Sequence, residues 1–410
     1  MKKTPMFLFA VAFCNVCAMA QVNEKTVNVL VENNWNREKM NEPVVLNLKD
    51  IKTGFNVKSV TVWDGEKEIA SQIDDLDRDC VMDEVAFVAD IPAKAKKQFR
   101  VVLSDRKSDK TYPAKVHAQM RLNDKSKKNP FIQSMTVPGT TPAKQIYSAM
   151  YHHGPAFESE LIALRIYFDN RQSVDIYGKK YQRLELEETN FYTTKEQKKA
   201  GYGNDILWAG TSVGLGSFRG WENEQPQYVE NVETRGASVL ASGPVRAIIE
   251  FKDRNWKYQG TELNMIQRYY IYAGHRDVQV KVDFKEDYVK NNTFCTGVQK
   301  LERDNVGFLE NDGLAGSWGT NLPEKGDTIS TPREMLGLGI WMPKENVEKV
   351  KEDENNYLII MDTNGKRELG YYFTFVSAKE EKGIKNSKEW FEFLKEWRKE
   401  LEHPCKVTIE

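Results

Sequence analysis

The chain has 410 residues, a formal net charge of -1 and 40% hydrophobic residues. This length predicts two domains, and the composition excludes an intrinsically disordered chain because it supplies enough apolar side chains for packed cores. The near-zero charge argues against nucleic acid as a partner, since nucleic-acid-binding proteins carry a strong basic excess, but it leaves room for a local basic cleft.

Residues 1–20 are typical of a secretory signal peptide. Lys2 and Lys3 precede a short apolar run, and Ala18-Met19-Ala20 offers a cleavage site before Gln21. The apolar run is too short to cross a membrane, and no later segment of the sequence reaches spanning length. We therefore expect an exported protein, periplasmic or secreted, without membrane insertion.

The mature chain would keep Cys80, Cys295 and Cys405. This odd number allows one disulfide at most, and the spacing suits no metal site. We expect cysteines that are buried or merely tolerated.

Residues 21–115 predict a small β-sandwich, because short runs rich in β-branched and aromatic residues alternate with turn signals. The runs are Val27–Val31, Val44–Leu48, Val57–Trp63, Glu84–Val88 and Phe99–Leu103. Residues 104–130, rich in Lys, Asp, Ser and Asn, are typical of a linker or surface crossing between domains.

An acidic loop in this region has the acid spacing of a calcium loop at Asp75, Asp77 and Asp79. Cys80 stands where such a loop needs Gly, and Ala86 stands where it needs the closing Glu. A hairpin loop is the favoured interpretation, and we expect no metal site.

Residues 130–410 predict a larger domain of stacked sheets followed by one helix. Val278–Phe284 alternates strictly between apolar and polar residues, and other strand-like runs are fully apolar. Asn386 or Ser387 would begin the helix, Pro404 would stop it, and Cys405–Ile409 would form a last strand. The predicted fold class is therefore all-β, with a small N-terminal β-sandwich, a large β domain and one C-terminal helix.

Two of the five histidines stand side by side, at His152 and His153, ahead of Gly154-Pro155. An imidazole at such a position can serve as a general acid or base near neutral pH. Neighbouring side chains on an extended segment point in opposite directions, so only one of the two is expected to face a site. The alternative is that one histidine satisfies a buried backbone group while the other is exposed. A zinc site is disfavoured because no third His or Cys lies at ligand spacing, although Glu158 could contribute.

A block of cationic and phenolic residues follows. Arg165, Tyr167, Asp169 and Arg171 would share one face of a regular strand, which could bind a carboxylate or could be a solvated face with ion pairs. Farther along, Tyr177-Gly178-Lys179 places a phenol and an amine beside a glycine that admits close approach.

The Gly-rich segment 201–221 contains Trp208, Arg219 and Trp221 and is suited to stacking sugar rings and bonding their hydroxyls. It lacks the Gly-Lys-Ser/Thr ending of a phosphate loop, and an ordinary Gly-rich connection is the alternative. Arg268 would share a strand face with Tyr270 and could line the same cleft. His275 lies in a predicted hairpin turn, where histidines are more often structural.

Other motifs are missing from the sequence. It contains no His-Glu-x-x-His and no dinucleotide fingerprint. We expect no cofactor.

Several of these segments together resemble a family of exported proteins, of formerly unknown function, from polysaccharide-utilisation gene clusters of Bacteroidetes. They are Gln72–Glu84, Tyr151–Gly154, Arg165–Arg171 and Asp175–Lys179. The similarity covers essentially the whole mature chain. In that family the acidic loop generally reads Asp-x-Asp-Gly-Asp-Gly. Arg78, Cys80 and Val81 depart from that pattern, which puts any metal role there in doubt.

The resemblance implies that the larger domain is similar to the β-supersandwich of galactose mutarotases and some polysaccharide lyases. It also implies a dehydratase that acts on uronic-acid-ended oligosaccharides of ulvan, removing water to leave a 4,5-unsaturated sugar. A polysaccharide lyase and a non-catalytic carbohydrate-binding protein are the alternatives, with a mutarotase or epimerase as a minor one.

Elimination next to a carboxylate requires a base, a group that neutralises the carboxylate, and an acid for the departing hydroxyl. We hypothesise that His153 or His152 is the base or the neutralising group and that Tyr177 is its acid/base partner. A cationic clamp would consist of Arg165, Lys179 and Arg268. The sugar platforms would be Trp208 and Trp221. Further substrate contacts would come from Arg219 and His275.

Overall fold

The computed structural model describes residues 22–285, 292–322, 333–361, 363 and 365–410. The predicted signal peptide, residues 1–20, lies outside them. The N-terminal part forms β1 (Glu24–Glu32), β2 (Lys39–Asn47), β3 (Ser59–Asp64), β4 (Lys67–Ile69), β5 (Ser71–Asp74), β6 (Glu84–Ile91) and β7 (Lys96–Ser104).

The remainder is again mostly strand. Its first half forms β8 (Val116–Gln119), β9 (Ser134–Pro138), α1 (Ala143–Ala149), β10 (Ala156–Ser159), β11 (Ala163–Ile166), β12 (Val174–Gly178), α2 (Leu186–Thr189), α3 (Lys195–Lys199), β13 (Asn204–Asp205), β14 (Arg219–Glu222), β15 (Gln225–Gln227), β16 (Thr234–Ser242) and β17 (Arg246–Tyr258). Its second half forms β18 (Thr261–Tyr272), β19 (Asp277–Phe284), β20 (Phe294–Gln299), β21 (Arg303–Leu309), β22 (Leu314–Asn321), β23 (Glu334–Trp341), β24 (Val347–Glu352), β25 (Asn356–Met361), β26 (Glu368–Ser377), α4 (Ser387–Leu401) and β27 (Lys406–Ile409).

The N-terminal domain is a β-sandwich of two antiparallel sheets. One sheet has the order β27-β1-β7-β3-β4 and the other β2-β6-β5. Alternate residues such as Val29, Val44, Phe87 and Phe99 are fully buried between the sheets, as the period of two predicts. The C-terminal strand departs from the expected boundary of 130–410. β27 pairs with the edge of β1 and completes the N-terminal sheet, because that edge offers free backbone hydrogen-bonding groups.

The large domain stacks one long sheet against two shorter ones. The nine-stranded sheet β21-β22-β23-β26-β19-β18-β17-β16-β9 faces the sheets β13-β12-β11-β10-β8 and β15-β14-β20-β25-β24. Apolar residues from all three, among them Leu164, Ile249 and Ile359, form one buried core. The predicted all-β fold class, with a small sandwich, a large stacked-sheet domain and a C-terminal helix, is confirmed.

The segment expected to be a linker is partly structural. Val116–Gln119 forms β8 and pairs with β10, while Val116 and Ala118 are buried in the core of the large domain. The interpretation of all of 104–130 as a linker is therefore wrong. Val116 and Ala118 are two residues apart, so both point into the core when β8 pairs with the sheet.

Helix α4 begins where the sequence predicts. The Asn386 side chain accepts the Glu389 amide at 3.0 Å, a standard N-cap. Trp390 and Leu394 are fully buried on the outer face of the nine-stranded sheet. A Cβ at Gly339 would lie 2.2 Å from Leu394 Cδ2, so this glycine in β23 provides the groove in which the helix lies.

Cys80, Cys295 and Cys405 carry free thiols. Within the part of the chain that the structure describes, no helix is both long and apolar enough to cross a membrane.

We predict that Leu394→Ala lowers the free energy of unfolding by about 2–5 kcal/mol, because it leaves a cavity between α4 and the sheet. Lys395→Ala on the exposed side of the same helix should change it by less than about 0.5 kcal/mol. Urea unfolding followed by circular dichroism measures both. Equal losses in the two variants would contradict the packing described for α4.

Candidate active site

The candidate site lies on the outer face of the sheet β13-β12-β11-β10-β8. Leu164 and Ile176 point into the core of the large domain. The alternate residues Arg165, Asp175 and Asp205 therefore point away from it, and the strand register places Arg165 opposite Asp175. The pleat thus separates an apolar face that holds the fold together from a polar face available for chemistry.

Arg165 is the centre of this face and is only 3% exposed. Its guanidinium donates to Asp175 at 2.7 and 3.0 Å, to Asp205 at 3.1 Å and to the hydroxyls of Tyr192 and Tyr167 at 2.7 and 3.0 Å. A buried cation is tolerated only when its donors are satisfied in this way. The sequence-based expectation that Arg165 and Tyr167 share a face is confirmed.

The two carboxyl groups beside Arg165 affect each other. Burial raises the pKa of Asp175, although Arg165 offsets part of the effect. Burial and the neighbouring Asp175 raise the pKa of Asp205 well above its ordinary value. Two close carboxylates that share one guanidinium favour a single proton between them, so the group can hold a proton at a pH where isolated carboxyls have lost theirs.

The histidine pair lies in an unusual backbone segment after α1. His152 and His153 both have positive φ, 45° and 66°, a region that costs non-glycine residues energy. A Cβ on the next residue, Gly154, would lie 1.9 Å from the Ile166 carbonyl oxygen. The chain thus turns tightly against β11, and two consecutive strained residues are typical of a functional site.

His152 is the structural member of the pair. Its ring is buried, with Nδ1 2.8 Å from the Gly154 carbonyl and Nε2 3.4 Å from the Gln119 amide nitrogen. Burial and the nearby Arg165 lower its pKa to about 3. His152 thus satisfies a buried backbone group, which is the alternative stated above for one of the two histidines. This structural role disfavours His152 as the reacting imidazole.

His153 faces the site, as expected for one member of the pair. Its ring lies among the rings of Tyr147, Tyr167 and Tyr192, at centroid distances of 4.4, 5.7 and 6.4 Å. Its Nδ1 is buried and has no hydrogen-bond partner among the described residues. Burial, Arg165 and Arg171 lower its pKa to about 4, so the imidazole is neutral at neutral pH.

Two further guanidinium groups lie near the histidines. Arg171 donates to Asp169 at 2.8 Å and hydrogen-bonds to Tyr147. Arg121 lies over the Tyr151 ring at 4.4 Å, and within the described ranges its side chain makes no ion pair. Arg121 is close enough to His152 to lower its pKa. The surroundings of the histidines therefore contain a cation without an anionic partner.

Tyr177 and Lys179 are not part of this site. Tyr177 is fully buried, and its hydroxyl donates to Glu185 at 2.9 Å. The Lys179 ammonium is 2.6 Å from Glu158, 2.6 Å from the Ser159 carbonyl and 2.7 Å from the Arg183 carbonyl. The segment 181–203 covers this end of the sheet, so the expectation that the two residues reach a cleft is wrong.

Three other candidates lie elsewhere in the large domain. Arg268 lies on the face of the nine-stranded sheet that points away from the core of the large domain, and it pairs with Glu250 at 2.8 Å. Arg219 is 1% exposed and donates to Ser173 and to its neighbour's carbonyl. Trp221 is buried beneath Lys349 and Lys351. None joins the histidines, because the strand order places these residues in other layers.

His275 lies at the contact between the two domains. Its Nδ1 is 3.0 Å from Asp277 and its Nε2 2.8 Å from the Asn41 carbonyl in β2. Burial would lower its pKa, but bonding and attraction to Asp277 outweigh burial and raise it to about 9. His275 is a charged interdomain bridge, and none of its contacts joins it to His153 or the other described residues of the candidate site.

Trp208 keeps the exposure that a sugar platform requires. Its side chain is 45% exposed, and it follows Asp205 of the candidate site by three residues. It lines a cavity of about 270 Å³ together with Thr211, Lys300 and Asn321.

The acidic loop between β5 and β6 was expected to be a hairpin loop without metal. Asp75, Asp77 and Asp83 can each bring one oxygen within 4.8 Å of the others. Arg78 and Cys80 adopt positive φ, 67° and 71°, at the positions where the resembling family has glycine. The hairpin is confirmed by the pairing of β5 with β6.

Four residues of the candidate site were not predicted from the sequence. Tyr147, Tyr192, Arg121 and Asp205 come from α1, from the segment 186–203 and from the edges of the sheet. Asp205 lies within the Gly-rich segment 201–221, and the other three lie in no motif. The only available signal was the local excess of tyrosine on both sides of the histidines. Their convergence depends on chain segments that cross the sheet face, which periodicity does not report.

Comparison with known proteins gives one family. A family model described as "Domain of unknown function (DUF4861)" matches residues 31–407. No curated protein matches the sequence.

Similar solved structures include a protein in the glycosyl hydrolase family 38 and an alpha-mannosidase, both from Enterococcus faecalis. Each is 10% identical, with TM-scores of 0.47 and 0.44. The matches cover 94% of this chain but 47% and 46% of those chains, so this chain spans about half their length. A Klebsiella pneumoniae protein assigned provisionally as an aldose 1-epimerase is 8% identical over 65% of this chain and 92% of its own, with a TM-score of 0.30. Similarities this low carry no argument about activity.

We predict that His275→Gln lowers stability in a pH-dependent way. The folded pKa of His275 is raised to about 9 from its ordinary value of about 6.5. Its contribution to stability is therefore full below pH 6.5 and is lost as the pH rises through 9. The difference in urea midpoint between wild type and His275→Gln should shrink over this range. His403→Gln, on an exposed histidine, is the control, and a difference that grows with pH would contradict the assignment.

Proposed function

This chain belongs to the DUF4861 family, and we propose that it is a carbon–oxygen lyase. In this proposal it removes water from the non-reducing-end uronic acid of an oligosaccharide of the ulvan type. The product carries a double bond between C4 and C5 of that sugar.

The observation that supports the proposal is the state of His153. Its imidazole is neutral, lies among three tyrosine rings, and has a buried nitrogen without a partner in the described part of the chain. A neutral imidazole in a partly dehydrated site is a proton acceptor. A purely structural role would not explain why this nitrogen is left unbonded within a strained backbone segment.

The guanidinium groups fit the substrate's carboxylate. The C5 proton becomes acidic only when the adjacent carboxylate is neutralised, since negative charge spreads onto it as the proton leaves. Arg121 has no acidic partner in the described ranges, and Arg171 is a third exposed at its side chain. These two residues take the role that sequence analysis gave to Lys179 and Arg268. A bound carboxylate would also offset the cations that lower the pKa of His153, which would make the imidazole a stronger base.

The acid in this proposal is Tyr192, in place of Tyr177. Tyr192 is 41% exposed, and its hydroxyl accepts from Arg165 at 2.7 Å, which leaves its own proton free to donate. Burial raises its pKa despite the attraction of Arg165, so the phenol is protonated at neutral pH. After donation, the nearby guanidinium stabilises the phenolate.

The reaction balances with these residues alone. His153 takes the C5 proton, the C5–H electron pair forms the C4–C5 double bond, and the C4–O bond breaks. The departing oxygen takes the Tyr192 proton and leaves as water. Transfer of the proton from His153 back to Tyr192 restores both residues. Trp208 would stack on the next sugar of the chain.

Export through residues 1–20 belongs to the same proposal. A mature N-terminus at Gln21, read by mass spectrometry of the protein from its native cells, tests it.

We predict that the wild-type protein converts saturated uronate-ended oligosaccharides to a product that is lighter by one water, unshortened, and newly ultraviolet-absorbing. His153→Ala and Tyr192→Phe should each lower kcat/KM by about 10²–10⁴-fold, while His403→Ala should leave it unchanged. Mass spectrometry of the products distinguishes the proposed dehydratase from the alternative functions. Shortened chains would indicate a polysaccharide lyase, and binding without any turnover would indicate a carbohydrate-binding protein.

We further predict that Arg121→Gln lowers kcat/KM about 10²-fold or more because the developing carboxylate charge loses its partner. Arg121→Lys, which keeps the charge, should recover part of the loss. Initial rates on a uronate-ended substrate measure both. Full activity in Arg121→Gln would remove this residue from the proposal.

A further inference from the structure

A second cavity lies between the two domains. Its volume is about 620 Å³, within the range of small-ligand sites. Strands β18, β19 and β26 form its floor, and β2 of the N-terminal sandwich and helix α4 form its walls. We call it the interdomain cavity.

The floor of the interdomain cavity is aromatic and polar. Tyr270, Gln279 and Tyr372 form one cross-strand row on neighbouring strands. The Tyr372 ring stacks on Trp341 at 5.9 Å, and the Trp397 indole is fixed by a 2.9 Å bond from its nitrogen to Asp277. Rings held in fixed orientations beside an amide are suited to the C–H face and hydroxyls of a sugar.

Lys281 supplies a positive charge at this floor. Its ammonium lies 5.2 Å from the centre of the Tyr270 ring, and it makes no ion pair with any described residue. On one neighbouring strand, β18, the residue opposite Lys281 is another cation, Arg268. On the other neighbouring strand, β26, it is Gly370, which has no side chain. Like charges in direct register are unfavourable unless an anion lies nearby, and the nearby Glu250 pairs with Arg268 and Lys252 but not with Lys281.

The other cations around the interdomain cavity already have acidic partners. Lys39, Arg246, His275 and Arg276 are each within 3.2 Å of a carboxylate. The hydroxyl of Tyr372 accepts from the Gln279 amide at 2.7 Å, so its own proton can be donated to a ligand. An unpaired ammonium and a free phenol proton thus face the same open floor.

We propose that the interdomain cavity is a second carbohydrate site that binds an acidic sugar residue and does not transform it. Lys281 binds the acidic group, the Tyr270 and Tyr372 rings hold the sugar ring, and Gln279 contacts its hydroxyls. The acidic group is a carboxylate or a sulfate. No turnover is expected because the one histidine here, His275, has both ring nitrogens bonded. The identity of the sugar class rests on the function proposed above.

The test uses His153→Ala protein, so that ligand is not consumed, and isothermal titration with a saturated tetrasaccharide ending in glucuronate. Two binding sites per chain are expected. Adding Lys281→Met and Tyr372→Phe should weaken one of them about tenfold or more, while Lys257→Met, on an exposed lysine of β17, should weaken neither. In the otherwise native protein, Lys281→Met with Tyr372→Phe should leave the initial rate of turnover unchanged.

Matched ligands distinguish the acidic groups. A carboxyl-reduced tetrasaccharide should lose the second site if a carboxylate is bound, and a sulfated form of the reduced sugar should regain it if a sulfate is accepted. Equal binding of the reduced, unsulfated sugar overturns the role of Lys281. One site per chain, unaffected by Lys281→Met and Tyr372→Phe, overturns the cavity proposal even where turnover is found. Two sites without turnover support the cavity and reject the dehydratase.

Discussion

Burial of the Arg165 guanidinium is the constraint on which the candidate site depends. Removing a cation from water costs several kcal/mol unless carboxylates and further acceptors surround it. Asp175 and Asp205 provide the negative charge, from the two strands that follow β11 in the sheet. The need to satisfy the buried Arg165 guanidinium therefore fixes both the edge of the sheet and the segment that carries Tyr192.

The same cation sets the protonation of the residues around it. Together with burial and Arg171 it lowers the pKa of His153, and its bond to the Tyr192 hydroxyl leaves the phenol proton free to be donated. In the proposed reaction, a single buried guanidinium thus prepares both the proton acceptor, His153, and the proton donor, Tyr192. The strained backbone at His152 and His153 is tolerated because the packing of Gly154 against β11 fixes the turn.

The sequence predicted the elements better than the site. The strands of the N-terminal sandwich, helix α4 and the hairpin around His275 follow from period, capping and turn residues. For the site it predicted the face that carries Arg165 and Tyr167, and a split of roles within the histidine pair. Lys179 and Tyr177 are a cationic and a phenolic residue, like Arg165 and Tyr167, and they lie on the same face of the sheet. They are nevertheless covered by the segment 181–203. No sequence pattern separates an accessible polar face from a covered one.

By itself, the sequence determined the all-β architecture and the block of chain that carries the imidazoles, because local periodicity and residue type fix strands and chemical capacity. Only the tertiary structure decided which of those groups meet. It joined Tyr147, Tyr192, Arg121 and Asp205 to His153, placed Arg268 and His275 in other layers, and returned β27 to the N-terminal sheet. These outcomes depend on strand order and on desolvation, which arise from contacts between residues far apart in the chain.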